Sequence, residues 1–219
     1  MEYKAVVFDL DGVLVDSEPV YMHHNYLALR DDYPWIKEED LIPTVGMSTK
    51  MYSSFISNLI HAPIGSEEYK KAFYKMAHQE PVNYQSIQRP HLKETINCLK
   101  KIGLKIALAS SGDMKDVLMT LNQLEINDLF DVICSGDMFE QSKPNPEIYQ
   151  VTFKKLGLQS KDCLIIEDSR MGIDAGIASG AKVCAFIENR FNFDQKGATY
   201  YISDLNEILE IIKKEDKKL

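Results

Sequence analysis

The chain has 219 residues, enough to bury one sizeable core and to carry a small insertion besides. Its 33 acids against 25 bases leave a net charge of −8, which argues against nucleic-acid binding, and no apolar run is long enough to cross a membrane. The four cysteines (Cys98, Cys134, Cys163 and Cys184) have no metal-ligand spacing and read as small hydrophobes in a reducing compartment. A charged segment follows Met1 at once, so no leader is predicted and the expected location is cytoplasmic.

Residues 6–16 read Val-Val-Phe-Asp-Leu-Asp-Gly-Val-Leu-Val-Asp. An apolar strand delivers Asp9 and Asp11 onto a glycine turn, and strand alternation starts both on the same side. Buried carboxylates without partners are costly, and a buried strand has no structural use for two of them at its carboxyl end. The pattern points to a Mg²⁺-binding, phosphate-handling site with a carboxylate nucleophile. The structural alternative is a strand end running into an Asp-Gly turn.

Residues 16–87 have a different texture. Helices are predicted at 18–30, 47–60 and 66–79, with a short acidic stretch at 37–42 and prolines between them. Tyr69, Phe73, Met76 and Ala77 share one helical face, and Tyr33 with Trp35 reads as packing within this segment. His24, His61, His78 and His91 read as surface or packing residues.

From residue 88 onward, strands alternate with helices. Apolar runs at 105–110, 131–135 and 163–168 each end in polar residues and lead into helical periodicity. Ser110 or Asp113 is placed to cap a helix over 113–124. Pro146 starts a helix closed by Gly157, Ser169 caps one that runs to Gly180, and Asp204 with Glu207 opens the last. Residues 213–219 read as its frayed end. The fold class is therefore α/β, a Rossmann-like parallel sheet core with helices on both faces, formed by residues 1–15 and 88–219. Ligands of such sheets sit at the carboxyl ends of the strands, where Asp9, Asp11, Ser110, Lys143, Glu167 and Asp168 all fall.

Four segments, Asp9-Leu-Asp11-Gly12-Val13, Ala109-Ser110-Ser111-Gly112, Ser142-Lys143-Pro144-Asn145-Pro146 and Ile166-Glu167-Asp168-Ser169 with Gly172 following, occur in an order that resembles the haloacid dehalogenase-like superfamily. Within it, the chain looks like the phosphatase and β-phosphoglucomutase branch. The resemblance implies that residues 16–87 form an inserted helical cap domain, joined by linkers near 13–17 and 82–90. It implies Asp9 as nucleophile, with Asp11 as general acid and base. Mg²⁺ would be held by Asp9, the backbone carbonyl of Asp11 and Asp168, with Glu167 contributing directly or through water. Lys143 would be the fixed cation beside the phosphoryl group, and Ser110 with Ser111 would offer hydroxyl and backbone N–H groups to its oxygens.

The acid at the second motif position argues against dehalogenation, because it suits a leaving alkoxide that needs a proton. The choice between phosphatase and phosphomutase rests on the cap. The resembled mutases carry a histidine where this chain has Tyr21, and basic residues where it has Val45 and Thr49. The expected activity is therefore that of a phosphatase acting on a small phosphorylated metabolite, a sugar phosphate, with phosphomutase as the alternative. A non-catalytic relative should have lost Asp9, Asp11, Lys143 or Asp168, and all are present. Tyr21, Met47, Ser48 and Lys50 are the candidate substrate contacts. A monomer with no nucleic-acid or membrane partner is expected.

Overall fold

The computed structural model describes residues 3–45, 47, 49–191 and 194–216. Strand β1 (Ala5–Phe8) is followed by helices α1 (Glu18–Leu29), α2 (Thr49–Leu59) and α3 (Glu67–Ala77), with a 3₁₀ turn at Glu38–Thr44. Next come α4 (Leu92–Lys101), β2 (Lys105–Ala109), α5 (Met114–Gln123), β3 (Val132–Cys134) and α6 (Glu147–Leu156). The chain ends with β4 (Cys163–Glu167), α7 (Arg170–Ala178), β5 (Lys182–Phe186), β6 (Tyr200–Ile202) and α8 (Glu207–Asp216).

All six strands are parallel, in the order β3-β2-β1-β4-β5-β6. The chain steps outward from β1 to β3 and then returns to lay β4 against the other side of β1, so the order reverses between β1 and β4. A crevice opens outside the strand ends at that reversal. β1 and β4 are buried along their whole length, as strands covered on both faces must be, while the edge strands β3 and β6 are partly exposed.

Alternation sorts the strand residues between two apolar layers. Val6, Phe8, Ile106, Leu108, Leu164 and Ile166 pack with Ile96 and Leu99 of α4, Val117 and Leu121 of α5, and Ile208 and Ile212 of α8. Ala5, Val7, Ala107, Ala109 and Ile165 face the other way, onto Tyr149 and Phe153 of α6 and Ile173 of α7. The alanines make room there for the bulky aromatics of α6.

The helical insertion has its own apolar cluster, in which Met22, Leu29, Tyr33, Leu41, Ile56, Ile60 and Ala72 are buried. Lys71 and Lys75 both reach Asp32, which ties α3 to the end of α1. The insertion leaves and rejoins the core through a narrow neck. Val15 and Gln88 form an antiparallel bridge, Asp16 N–H donates to the Ile87 carbonyl at 2.7 Å, and Arg89 N–H donates to that of Leu14 at 2.9 Å. The Arg89 guanidinium lies over the Phe186 ring and donates twice to the Gly12 carbonyl, at 2.8 and 3.2 Å. Arg190 holds Asp16 through two bonds of 2.6 and 2.8 Å and also pairs with Glu188.

Several local expectations shift by a residue or a role. Ala72, not Ala77, completes the buried face of α3; Ala77 is exposed. Tyr33 is core, but Trp35 is about half exposed, stacked edge-on against Tyr33 with its indole N–H on the Leu59 carbonyl. Asp113 stands at the start of α5 without capping it; the Met114 N–H is taken by Asp137 from the turn after β3. Strand β6 is an addition, a short edge strand that the sequence pattern does not predict. No helix among the described residues is long and apolar enough to cross a membrane.

Candidate active site

The strand alternation that builds the core also aims the acids. Phe8 faces α4 and α5, so Asp9, the next residue, turns toward α6. Its N–H still bonds to the Ile166 carbonyl at 3.0 Å, so the ladder with β4 reaches Asp9. On β4 the same step carries the chain from Ile166 to Glu167, which points to the same side. Lys143, in the segment before α6, meets both. Its ammonium, almost fully buried, donates to Asp9 Oδ1 at 2.6 Å, to Glu167 Oε1 at 2.6 Å and to the Ala109 carbonyl at 2.8 Å. An ammonium has three donors, and all three are used.

Glu167 is completely buried and engaged through both oxygens. Oε1 also accepts from the Tyr149 hydroxyl at 2.5 Å, and Oε2 accepts from Asp168 N–H at 3.2 Å and Ser169 Oγ at 3.3 Å. The carboxylate sits on the bare Cα of Gly172, where an added Cβ would come within 2.0 Å of its carbon and both oxygens. Gly172 lies in the first turn of α7, capped by Ser169 Oγ accepting from Gly172 N–H at 3.1 Å. Alanine ordinarily stabilises a helix relative to glycine by about 1 kcal/mol. Here Gly172→Ala is expected to lower the melting temperature and the activity together. The displaced carboxylate could yield only by giving up Lys143 or Tyr149. A variant as stable and active as the parent would show that this contact is slack.

Gly12, at φ +78°, is held tightly for a similar reason: a Cβ there would lie 1.9 Å from Asp168 Oδ2. Asp11 accepts from Ser17 Oγ at 2.5 Å. The Tyr21 hydroxyl pairs with that of Tyr84 at 2.8 Å. Ser110 is buried at the end of β2, where its Oγ accepts from Gly112 N–H at 3.1 Å.

Burial raises the carboxyls of Asp9, Asp11 and Asp168 above their ordinary range. At Asp168 the neighbouring Glu167 and Asp9 add to the effect; at Asp9 the Lys143 ammonium opposes it. Burial alone would lower Lys143, but Asp9 and Glu167 hold it well above its usual value. One ammonium thus faces four acids, and the site is short of positive charge. Asp9, Glu167 and Asp168 each present an oxygen, all within 4.8 Å of one another. An all-oxygen donor set suits a hard divalent cation such as Mg²⁺. Because both Glu167 oxygens are engaged, Asp9 and Asp168 are the carboxylates best placed to hold one.

Asp9, Asp11, Lys143 and Asp168 border a cavity of about 200 Å³, with Glu167 behind them. Its floor is Asp9, Asp11, Ser110, Ser111, Gly112, Lys143, Asp168 and Ser169; its other wall is Glu18, Tyr21, Thr44, Met47 and Tyr52 of the insertion. A larger hollow of about 740 Å³ beside β6 and α8 contains none of the expected site residues. Of the expected substrate contacts, Tyr21 and Met47 line the cavity and Lys50 is exposed outside it. Ser48 lies outside the described residues. Sequence reasoning did not single out Ser17, Glu18, Thr44, Tyr52 or Tyr149. Only Tyr149 left a trace, as an aromatic three residues beyond Pro146 on a face destined for the sheet.

The sequence model describing haloacid dehalogenase-like hydrolases matches residues 6–186. A phosphorylated carbohydrates phosphatase of Thermotoga maritima is 29% identical over 181 residues, which cover 81% of this chain and 82% of that protein. Protein CbbY of Rhodobacter capsulatus is 31% identical over 193 residues, 84% of this chain and 85% of its own length. A crystal structure described as a predicted phosphoglycolate phosphatase from Haemophilus somnus superposes with a TM-score of 0.82 at 24% identity, covering 97% of this chain and 99% of that one, a likeness of fold. With most of its length matched by the family's model and the doubly wound sheet shared, this chain belongs to the haloacid dehalogenase-like hydrolase family.

Proposed function

We propose that the protein is a Mg²⁺-dependent phosphatase that hydrolyses a small phosphorylated metabolite, of the sugar-phosphate class, through an aspartyl-phosphate on Asp9. The carrying observation is Lys143, whose buried ammonium bridges Asp9 and Glu167 beside Asp168 at the strand ends. The likeness to a phosphatase of phosphorylated carbohydrates supports the substrate class.

In this reading an Asp9 oxygen attacks phosphorus and the bond from phosphorus to the leaving alkoxide breaks. Asp11 gives its proton to that alkoxide, then takes a proton from the water that attacks phosphorus of the aspartyl-phosphate, as the bond from phosphorus to Asp9 breaks and the Asp9 carboxylate and inorganic phosphate are released. A buried carboxyl with a raised pKa, turned by Ser17, is suited to that exchange. Lys143 neutralises charge on the phosphoryl oxygens, while Ser110 and Ser111 bind and orient them. Glu167 is a positioning residue that fixes Lys143. When bound between Asp9, the Asp11 carbonyl and Asp168, Mg²⁺ supplies the countercharge that lets a dianionic phosphate approach these acids. The insertion acts as a cap, turning at the 15–88 neck to exclude water during the reaction.

Phosphate release from a panel of sugar and polyol monophosphates tests the activity. Turnover should vanish with a chelator and return with Mg²⁺; full activity after exhaustive chelation would contradict the metal role. A second readout needs no turnover. A carboxyl whose pKa is raised by folding holds its proton more tightly in the fold than in the unfolded chain. It therefore costs stability at any pH above its unfolded value. In metal-free protein at neutral pH, Asp168→Asn removes that cost and should raise the melting temperature. A gain of about 1 kcal/mol would appear as about 2–4 °C. Added Mg²⁺ should stabilise the parent more than the variant. A variant that melts lower without metal would remove Asp168 from the charge-crowded cluster.

A further inference from the structure

We propose that the leaving group of the substrate carries hydroxyls and no second anionic group: this phosphatase selects compact polyol or sugar monophosphates against phosphorylated acids and bisphosphates. The inference rests on the phosphatase reading and concerns the half of the cavity that the phosphoryl group does not fill.

The lining charges have one sign apart from Lys143. Asp9, Asp11 and Asp168 stand on the floor, and Glu18 stands on the insertion side. Lys143 is the one cation among the described lining residues, and its three donors are spent within the floor. The rest of the insertion wall is Tyr21, Thr44, Met47 and Tyr52, all neutral. Burial pushes the phenols of Tyr21 and Tyr52 upward, which keeps them protonated. Lys50 is exposed outside the cavity, and Arg89 and Arg190 are committed to Gly12, Asp16 and Glu188 at the neck. A carboxylate or second phosphate on the leaving group would be desolvated beside Glu18 with no cation but Lys143 among the described lining residues, which disfavours it strongly.

The wall hydroxyls add direction to this argument. Thr44 Oγ1 donates to the Leu41 carbonyl at 2.6 Å, and Tyr52 OH donates to Met76 Sδ at 3.4 Å. A hydroxyl whose proton is already used presents lone pairs, which accept from a ligand O–H and repel an anion. The volume, about 200 Å³, lies below the ~300–1,000 Å³ of drug-sized ligand pockets, so the leaving group is short.

A matched pair tests this directly. sn-Glycerol 3-phosphate and 3-phosphoglycerate share a carbon skeleton and differ in one terminal group, a hydroxymethyl against a carboxylate. With Mg²⁺ present, kcat/KM should favour the glycerol ester by at least about tenfold, since like-charge juxtaposition is strongly disfavoured in a dry site. Glu18→Gln should narrow that ratio, and Met47→Lys should narrow it further by raising turnover of the acid. Fructose 6-phosphate should likewise be preferred to fructose 1,6-bisphosphate. Equal or better turnover of 3-phosphoglycerate by the parent would overturn the inference while leaving the phosphatase reading intact. If no phosphomonoester released phosphate, the phosphatase reading would fail. The charge preference would then be read by thermal shift of Asp9→Asn protein with each compound. The larger shift belongs to glycerol 3-phosphate if the inference holds and to 3-phosphoglycerate, or to neither, if it does not.

Discussion

Replacing Asp9 by Asn is expected to lower phosphate release by about 10⁴-fold or more, the scale at which losing a nucleophile removes a covalent route. The amide keeps the carboxylate's shape, and its oxygen can still accept from the Lys143 ammonium, 2.6 Å from Oδ1 in the parent. What it loses is the negative charge that attacks phosphorus in the proposed mechanism. The fold should survive, because burial disfavours the Asp9 charge that is removed, against the attraction of Lys143, and Glu167 remains to pair that ammonium. The decisive comparison is therefore activity against melting temperature on the same purified sample. A folded Asp9→Asn protein with near-parental activity would remove Asp9 as the nucleophile.

Lys143→Met should damage stability and chemistry together. Methionine fills the side chain's volume but leaves Asp9 and Glu167 buried without their shared cation. Removing one partner of a buried pair costs about 3–5 kcal/mol, because the remaining charge has no solvent to turn to. In a chain of this size that is a fall of about 6–20 °C in melting temperature. Phosphate release should fall by about 10²–10³-fold or more, the scale of one lost electrostatic contact to a transition state. Lys143→Met combined with Glu167→Gln should regain part of the stability and none of the activity, since the second change neutralises one of the two stranded acids without restoring a cation. An unchanged melting temperature in the single variant would show that solvent, not Lys143, balances the two carboxylates.

The residues proposed for the chemistry were legible because each lies in a short contiguous motif at the end of an apolar strand. Asp9, Asp11, Ser110, Lys143, Glu167 and Asp168 announce themselves locally, and parallel topology brings strand ends together. The partners that fix them were not legible, because they are chosen by packing across the chain. Tyr149 reaches Glu167 from a helix whose periodicity said only that one face was buried. Ser17 meets Asp11 only because the turn at Gly12 folds back through Val15, a path set by backbone bonds rather than by side-chain type. Thr44 and Tyr52 enter the cavity through the tertiary fold of the insertion, where helical periodicity fixes a face but not its neighbour. Strand β6 has three residues and one paired neighbour, too few for alternation to register. Trp35 reads with Tyr33 as packing within the insertion, yet its edge-on contact with Tyr33 leaves about half of it in water.

Residues 16 and 87 are joined by a hydrogen bond of 2.7 Å between their backbones and residues 89 and 14 by another of 2.9 Å, so the 70-odd residues between 16 and 87 amount to a closed loop hung on a two-rung ladder. Such a loop can lengthen, shorten or be exchanged whole without shifting the register of β1 against β2 or β4. In the proposed reading, phosphoryl chemistry and substrate choice would then be inherited through separate stretches of one polypeptide. A chimera that keeps residues 1–15 and 88–219 and borrows a relative's insertion should retain the parent's metal requirement while adopting the donor's preference among phosphate esters.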